Sequence, residues 1–397
     1  MFLNDNKIII AADIFPPEVG GPATYSVKLA ELLIKNGFNV KLICYSDVSV
    51  KDDYCFSVVR IRKTRLKIWN YIKYFFRLLF LSLDSKLIYA QGPVNAGFPA
   101  WLVAKILHKK LVIKVVGDYA WEQFRNVNKE SNIDIDSFQK NNYSGKIGFL
   151  KKIESLVCRR ADRVITPSDY LRNLVIGWGV INSKVITIYN YFVSPNLPDR
   201  EQARKELGFK DSDFIIVSIG RAVPWKGFGL LYLTVQELIK TKGWPLKLRL
   251  LGINSNELRD FIKIEDSQSI IDETNLSSEA VGKKTKEDVY KYLVAADIFI
   301  LNTGYEGLSH AILEAMSCGV AVITTNVCGN PELVKNGVNG ILIEYNNRYQ
   351  LKSAIEILYK NQDLRQRFSR ESIKLLENFS KEKIESSTLE LLGKIME

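Results

Sequence analysis

Short β-branched runs alternate with amphipathic stretches through the first half of the chain: "KIIIAAD", a helical stretch through "TYSVKLAELLIKNG", "VKLICY", then "KLIYAQG", "KLVIKVVGD" and "DRVITPS". Apolar runs of strand length separated by stretches of helical period predict a parallel sheet with crossover helices. The pattern restarts after residue 195 with "DFIIVSIG", a helix through "GFGLLYLTVQELIK", "LKLRLLG", "DIFILNT", a helix through "SHAILEAMSCG", "VAVITT" and "GILIEY". The expected fold class is α/β, with two doubly wound Rossmann-like domains. A joint is expected in "IYNYFVSPNLPDR", where Pro195 and Pro198 limit continuation of a helix or ladder. These signals set an N-terminal domain over 1–190, a C-terminal domain over 191–375 and a last helix over 376–397, for which the N-terminal domain is one candidate docking surface. The polar stretch 126–146 reads as a long loop or short helix of the N-terminal domain, an element of the kind that often binds ligands.

Composition agrees with this division. A chain of 397 residues exceeds one ordinary core, so a ligand can be held in a cleft between two domains. The apolar fraction of 47% and charged fraction of 25% are those of a globular protein. Cys44, Cys55, Cys158, Cys318 and Cys328 are scattered without C-x-x-C spacing, which argues against a disulfide framework or structural zinc and favours a reducing cytoplasm. The N-terminus reads as a first strand and not as a signal peptide. Charge is uneven: residues 1–190 carry 28 Lys/Arg against 16 Asp/Glu, and the remainder 27 against 28. An anionic partner is therefore expected at the N-terminal half; a membrane surface is one candidate, and nucleic acid is not expected.

Several chemistries lose their main support, since there is no G-x-G-x-x-G after a strand, no Walker A loop, no H-E-x-x-H and no G-x-S-x-G. Gly20 and Gly21 follow the first strand and precede a helix. They either let the backbone approach a phosphate or simply make a tight turn. Arg221 and Lys226, in "SIGRAVPWKGFG", lie on the loop after the first strand of the second domain, where open α/β sheets bind ligands and two cations suit a diphosphate. The plainer alternative is two solvated surface cations.

Glu306 and Glu314, in "YEGLSHAILE", stand eight residues apart, roughly 12 Å at helical rise, wider than paired glycosidase carboxylates need. An acid/base pair is therefore not expected. Glu306 falls at a helix start beside the amides of Gly307, Leu308 and Ser309, which could hold a phosphate, and Glu314 lies two turns in. An acidic cap plus an exposed helical glutamate is the alternative. His310 is expected to pack and His108 to lie at the surface, neither with metal-ligand company. Asp134 with Asp136 and Asp211 with Asp213 form D-x-D triplets away from strand ends, and no metal site is expected. Residues 60–83 combine a basic head with Trp69, Ile72, Phe75, Phe76, Leu79, Phe80 and Leu83 at helical spacing. The segment is too short and too charged to span a bilayer. It reads as a membrane-surface helix or as an ordinary crossover helix.

Taken together, "EVGGPATYSVKLAELLIKNG", "GRAVPWKG" and "YEGLSHAILEAMSCGVAVITTNVCGNPELVKNGVNGIL" resemble family 4 of the retaining glycosyltransferases, the group 1 type with the GT-B fold. The resemblance implies two Rossmann-like domains facing across a cleft. It implies that Arg221 and Lys226 grip a donor diphosphate, that Glu306 with the backbone of Gly307, Leu308 and Ser309 orients the donor sugar and phosphate, and that Glu314 bonds the ribose. Gly20 and Gly21, and Gly220 ahead of Arg221, would lie near the diphosphate, and Val281 and Gly282 near the base. The family is metal-independent, which the resemblance extends to this chain. Many members carry a histidine after the strand that here reads "KLVIKVVGDYAWE"; Gly117 and Asp118 stand there instead, leaving Asp118 or Tyr119 as acceptor-side candidates.

The expected function is retaining transfer of a sugar from a UDP- or GDP-sugar, without a further cofactor, to a hydroxyl of a lipid-linked or surface-polysaccharide precursor glycan. The expected place is the cytoplasm, with the inner face of the cell membrane as one candidate surface. A nucleotide-sugar epimerase of the same fold and an inactive nucleotide-sugar-binding module are the competing expectations.

Overall fold

The computed structural model describes residues 6–18, 20–48, 52–128, 131, 133–266 and 277–397. The chain divides into two compact units. The first comprises 1–124, 141–190 and 382–397; the second comprises 125–140 and 191–381.

In the first unit seven parallel strands run in the order β3-β2-β1-β4-β5-β6-β7: β1 (Lys7–Ala12), β2 (Asn39–Ser46), β3 (Ser57–Arg62), β4 (Leu87–Gln91), β5 (Lys110–Lys114), β6 (Arg163–Thr166) and β7 (Val185–Thr187). Every residue of β1 and β4 is buried, as a parallel sheet covered on both faces requires. That is why these strands are mostly apolar, with Lys7 and Gln91 at their ends. The helices up to the joint are α1 (Gly21–Lys35), α2 (Lys67–Ser82), α3 (Gly97–Leu107), α4 (Tyr119–Val127), α5 (Ile135–Lys140), α6 (Gly145–Arg160) and α7 (Asp169–Gly177).

Two placements differ from the sequence reading. Helix α5 lies in the 125–140 segment that groups with the second unit. Ile135 and Phe138, three apart and fully buried, anchor it inside a stretch whose polar composition concealed them. The basic head of 60–83 is not helical: Arg60 belongs to β3, where its guanidinium donates to Asp52 Oδ1 at 2.6 Å and is largely buried.

The second unit has six parallel strands in the order β10-β9-β8-β11-β12-β13: β8 (Phe214–Ile219), β9 (Leu246–Leu251), β10 (Ser278–Gly282), β11 (Ile298–Leu301), β12 (Ala321–Thr325) and β13 (Gly340–Ile343). Its helices are α8 (Arg200–Glu206), α9 (Phe228–Lys242), α10 (Ser255–Glu265), α11 (Lys286–Ala295), α12 (His310–Ser317), α13 (Asn330–Leu333), α14 (Arg348–Lys360) and α15 (Gln362–Leu376). One apolar core joins Ile216, Leu248, Ile300 and Ile323 of the sheet to Leu231, Val235, Leu351 and Phe368 of the helices. A last helix, α16 (Lys381–Met396), falls from residue 382 in the first unit.

Strand order reverses between β1 and β4 in one sheet and between β8 and β11 in the other. At such a switch point neighbouring loops part to opposite faces and leave a crevice at the carboxyl ends of the strands.

Candidate active site

In the second unit the residues singled out by sequence converge on the β8/β11 switch point. Gly220, Arg221 and Lys226 follow β8; Glu306 to Ser309 follow β11. The two loops are tied together: Gly304 donates its amide to the Trp225 carbonyl at 2.7 Å, and Thr303 Oγ1 donates to the same oxygen at 3.2 Å. Asn302 Nδ2 donates to the Gly227 carbonyl at 3.1 Å. Gly227 has a left-handed backbone (φ 55°), and a Cβ there would collide with Asn302, so only glycine lets the loops meet and α9 begin.

This contact brings Lys226 and Glu306 into a direct ion pair, with Lys226 buried and Glu306 half-buried. Arg221 is exposed beside it. Gly220 lies against the aliphatic part of Lys226 and the ring of Phe228. The backbone after Glu306 is equally fixed, since Gly329 donates to the Glu306 carbonyl at 3.0 Å and a side chain at Gly329 would strike the Gly307 carbonyl. Ser309 caps α12, its Oγ accepting from the Ile312 amide at 3.4 Å. Among the described residues no acceptor meets the amides of Gly307, Leu308 or Ser309. Three unengaged donors and the positive end of a helix, beside two cations, form a place for a polyanion.

Glu314 lies farther along α12, buried, and pairs with the exposed Lys286 at the start of α11. The structure does not join Glu306 to Glu314; each has its own lysine. Lys286 was not legible from spacing, because it lies 28 residues away in sequence and meets Glu314 only through the packing of α11. Val281 and Gly282 close β10 at the same edge of the sheet. Gly282 (φ 70°) donates to the Ile253 carbonyl at 2.9 Å and accepts from Gly252 at 2.8 Å.

In the first unit Gly20 and Gly21 stand at the N-terminus of α1, with Pro22 in its first turn and no side-chain cap. A Cβ at Gly21 would meet open space, so nothing among the described residues keeps that position small. Of the acceptor-side candidates, Asp118 is buried and its Oδ1 accepts from the Trp121 amide at 2.6 Å, starting α4. Glu154 accepts from the Tyr119 amide at 2.7 Å; burial, with the Asp118 charge beside it, pushes the Glu154 carboxyl well above its usual range. Tyr119 is half-buried, and burial raises its phenol above the usual range.

His310 is exposed at the first position of α12 and does not pack as expected. Asp134 starts α5 by accepting from the Ser137 amide at 2.7 Å, and Asp213 accepts from the Lys210 amide at 2.9 Å. Among the described residues no group of three or more His, Cys, Asp or Glu could hold a metal.

The outer face of α2 is apolar. Tyr74 and Leu78 are buried, whereas Trp69, Phe76 and Phe80 are 52%, 53% and 63% exposed, with the exposed Lys73 and Arg77 on the same helix. No helix among the described residues is long and apolar enough to cross a membrane.

Comparison with known proteins places both halves. Residues 199–375 match the family model of glycosyl transferases group 1, and residues 19–192 that of glycosyltransferase family 4. The chain is 26% identical over 325 residues to the N-acetylgalactosamine-N,N'-diacetylbacillosaminyl-diphospho-undecaprenol 4-alpha-N-acetylgalactosaminyltransferase of Campylobacter jejuni, covering 81% of this chain and 83% of that protein. It is 29% identical over 154 residues to an Escherichia coli UDP-Gal:alpha-D-GlcNAc-diphosphoundecaprenol alpha-1,3-galactosyltransferase, covering 39% of this chain and 38% of that one. Among solved structures, HepE of Anabaena in complex with UDP superposes with a TM-score of 0.72 at 19% identity, over 98% of this chain and 100% of that one. Sucrose-phosphate synthase of Thermosynechococcus elongatus gives 0.78 at 18% identity, over 98% and 99%. Both likenesses show the GT-B fold.

Proposed function

The chain belongs to glycosyltransferase family 4, a retaining family of the group 1 type, and on that premise we propose that it moves a sugar from a UDP- or GDP-sugar to a hydroxyl of a lipid-linked or surface-polysaccharide precursor glycan. The observation that carries this reading is the convergence at the β8/β11 switch point: Arg221, the Lys226–Glu306 pair and the unengaged amides of Gly307 to Ser309. A nucleotide diphosphate has the charge for the cations and amides, a sugar has the hydroxyls for Glu306, and a ribose has those for Glu314.

The chemistry follows from this arrangement. When the bond from the anomeric carbon to the phosphate oxygen breaks, negative charge grows on the departing diphosphate. Arg221, Lys226 and the start of α12 stabilise that charge more than they stabilise the ground state, which accelerates the step. The acceptor oxygen bonds to the anomeric carbon on the face the diphosphate leaves, and its proton passes to a departing phosphate oxygen, so no enzyme nucleophile and no metal is required. The relatives named for diphosphoundecaprenol-linked glycans support an acceptor of that class. The outer face of α2 and the basic excess of the first 190 residues support an anionic membrane surface as the place where it is met.

A thermal-shift and hydrolysis screen of UDP- and GDP-sugars tests the reading. One nucleotide should stabilise the protein, one of its sugars should be slowly released, and Glu306→Ala should lose turnover. A Glu306→Ala protein with unchanged turnover would undercut the site.

A further inference from the structure

The first unit has its own switch point, between β1 and β4. The chain puts Asp13 directly after β1, Asn95 just after β4, Tyr119 after β5 and Tyr71 on α2. These four side chains form one cluster. Asn95 Nδ2 donates to Asp13 Oδ2 at 3.0 Å, and Asn95 Oδ1 accepts from the Tyr71 hydroxyl at 2.6 Å. Tyr119, half-buried, is close enough to the same asparagine and to Asp13 for both to act on its phenol. Gly92, left-handed at φ 84°, would place even a Cβ 3.9 Å from Asp13 Oδ2, so no side chain crowds it from that loop.

The cluster is incomplete on one atom. Asp13 Oδ1 is shielded from solvent and has no hydrogen-bond partner among the described residues. Native folds rarely leave such an oxygen unmet, because a buried acceptor loses its hydration with nothing in exchange. Lys63 is the charge that acts on Asp13 from a distance, and Tyr45, Tyr71 and Tyr74 are its neutral phenolic neighbours. No cation sits on it as a salt-bridge partner among the described residues. A carboxylate held rigidly by one oxygen and bare at the other, in the crevice where an open sheet receives ligands, is suited to a hydroxyl donor.

We propose that Asp13, held by Asn95 and flanked by Tyr71 and Tyr119, is the site that binds the acceptor sugar: Oδ1 accepts a hydrogen bond from an acceptor hydroxyl and so fixes that sugar for transfer. This deepens the glycosyltransferase reading and rests on it. Asp13 binds and orients; the acceptor proton still leaves with the departing phosphate. Tyr71 adds a link to the membrane face, since it lies on the helix that also exposes Trp69, Phe76 and Phe80. A glycan carried on a membrane lipid would meet both.

The test uses the full chain with the UDP- or GDP-sugar it turns over and, as acceptors, diphosphoundecaprenol-linked N-acetylhexosamines. Asp13→Asn should lower kcat/KM for the acceptor at least ~10-fold, the scale of a hydrogen bond to a charged group, while affinity for the free nucleotide stays within about twofold. Tyr71→Phe, a change at the exposed edge of the cluster, should raise acceptor KM with the same nucleotide affinity, and it carries the test if Asp13→Asn fails to fold. Unchanged acceptor kinetics in a folded variant overturn the inference, as does an equal loss of nucleotide affinity or a wild type that transfers to none of these acceptors. Failure of the underlying reading looks different: the wild type then binds no nucleotide and releases no sugar.

Discussion

Replacing Asp13 by asparagine should stabilise the protein in a pH-dependent way. Burial pushes the Asp13 carboxyl up to about 7 from an ordinary 3.8; the bonds from Asn95 and the Ala96 backbone, and the distant Lys63, only partly offset it. A raised folded-state value means the folded protein keeps a proton that the unfolded chain releases. The stability contribution is thus fully present below about pH 4 and is lost as pH rises through about 7. Roughly three units at 1.36 kcal/mol each give a cost on the order of 4 kcal/mol for holding the carboxylate above that range. Asparagine has the same shape and no charge. Asp13→Asn should therefore match the wild type near pH 4 and exceed it by about 2–4 kcal/mol at pH 8, or roughly 5–15 °C in the melting of a unit this size. Lys114 acts in the opposite sense: burial lowers it to about 7 from 10.5, so its contribution rises with pH between those values. It is common to both proteins and cancels in their difference, as does Glu154. Thermal melting of the pair at pH 4.5, 6, 7 and 8 reads the effect. A difference that does not change with pH, or a variant less stable at pH 8, refutes the reasoning. If the gain in stability comes with a loss of acceptor turnover, the strain at Asp13 is functional.

Gly252→Ala should cost more than ~2 kcal/mol in thermal melting, because its left-handed backbone (φ 88°) strains any side chain and a Cβ would strike the Gly220 carbonyl next to the Arg221 loop. Lys286→Met should change stability by less than ~1 kcal/mol, as its ion pair has one exposed end, and should not weaken nucleotide binding in calorimetry. Glu314→Ala should weaken nucleotide binding ~10-fold or more. Equal losses in the two variants would make Lys286 a nucleotide contact and not merely the partner Glu314 keeps until the ribose arrives. Phe76→Ser with Phe80→Ser should reduce flotation with phosphatidylglycerol vesicles at low salt at least ~10-fold, since each ring contributes roughly 1.5–3 kcal/mol when buried. Unchanged flotation, or none in the wild type, would remove α2 from the membrane.

The strands legible in sequence were those with mostly apolar runs, the partly exposed β2 and β13 among them. β1, β4, β8, β11 and β12 are almost wholly buried and mostly apolar because helices cover both sides of each sheet. The strands that did not show are edge strands of other composition. β3 is "SVVRIR", half polar; β7 is three residues; β10 is "SEAVG", with little side chain to pack. Loops after legible strands were equally legible, so Arg221, Lys226 and Glu306 could be named before their geometry was known. Their pairing could not. Lys226 meets Glu306, and Lys286 meets Glu314, only because β8 and β11 are neighbours and α11 packs beside α12. Asp13 shows the limit most clearly. It stands in plain sight at the end of the first strand, yet its partner Asn95 is 82 residues away and comes beside it only through the order β1-β4.

The central claim is that the β8/β11 crevice holds a nucleotide sugar and stabilises the departing diphosphate. Single-turnover release of UDP or GDP from the donor, wild type against Arg221→Ala, tests it most directly, because Arg221 is exposed and its loss leaves the core untouched. The account predicts that the wild type releases one of these nucleotides and that Arg221→Ala does so about 100-fold more slowly, the scale for removing one charge-stabilising donor, with the same melting temperature. Release at the wild-type rate by Arg221→Ala, or no release from any UDP- or GDP-sugar by the wild type, would contradict it.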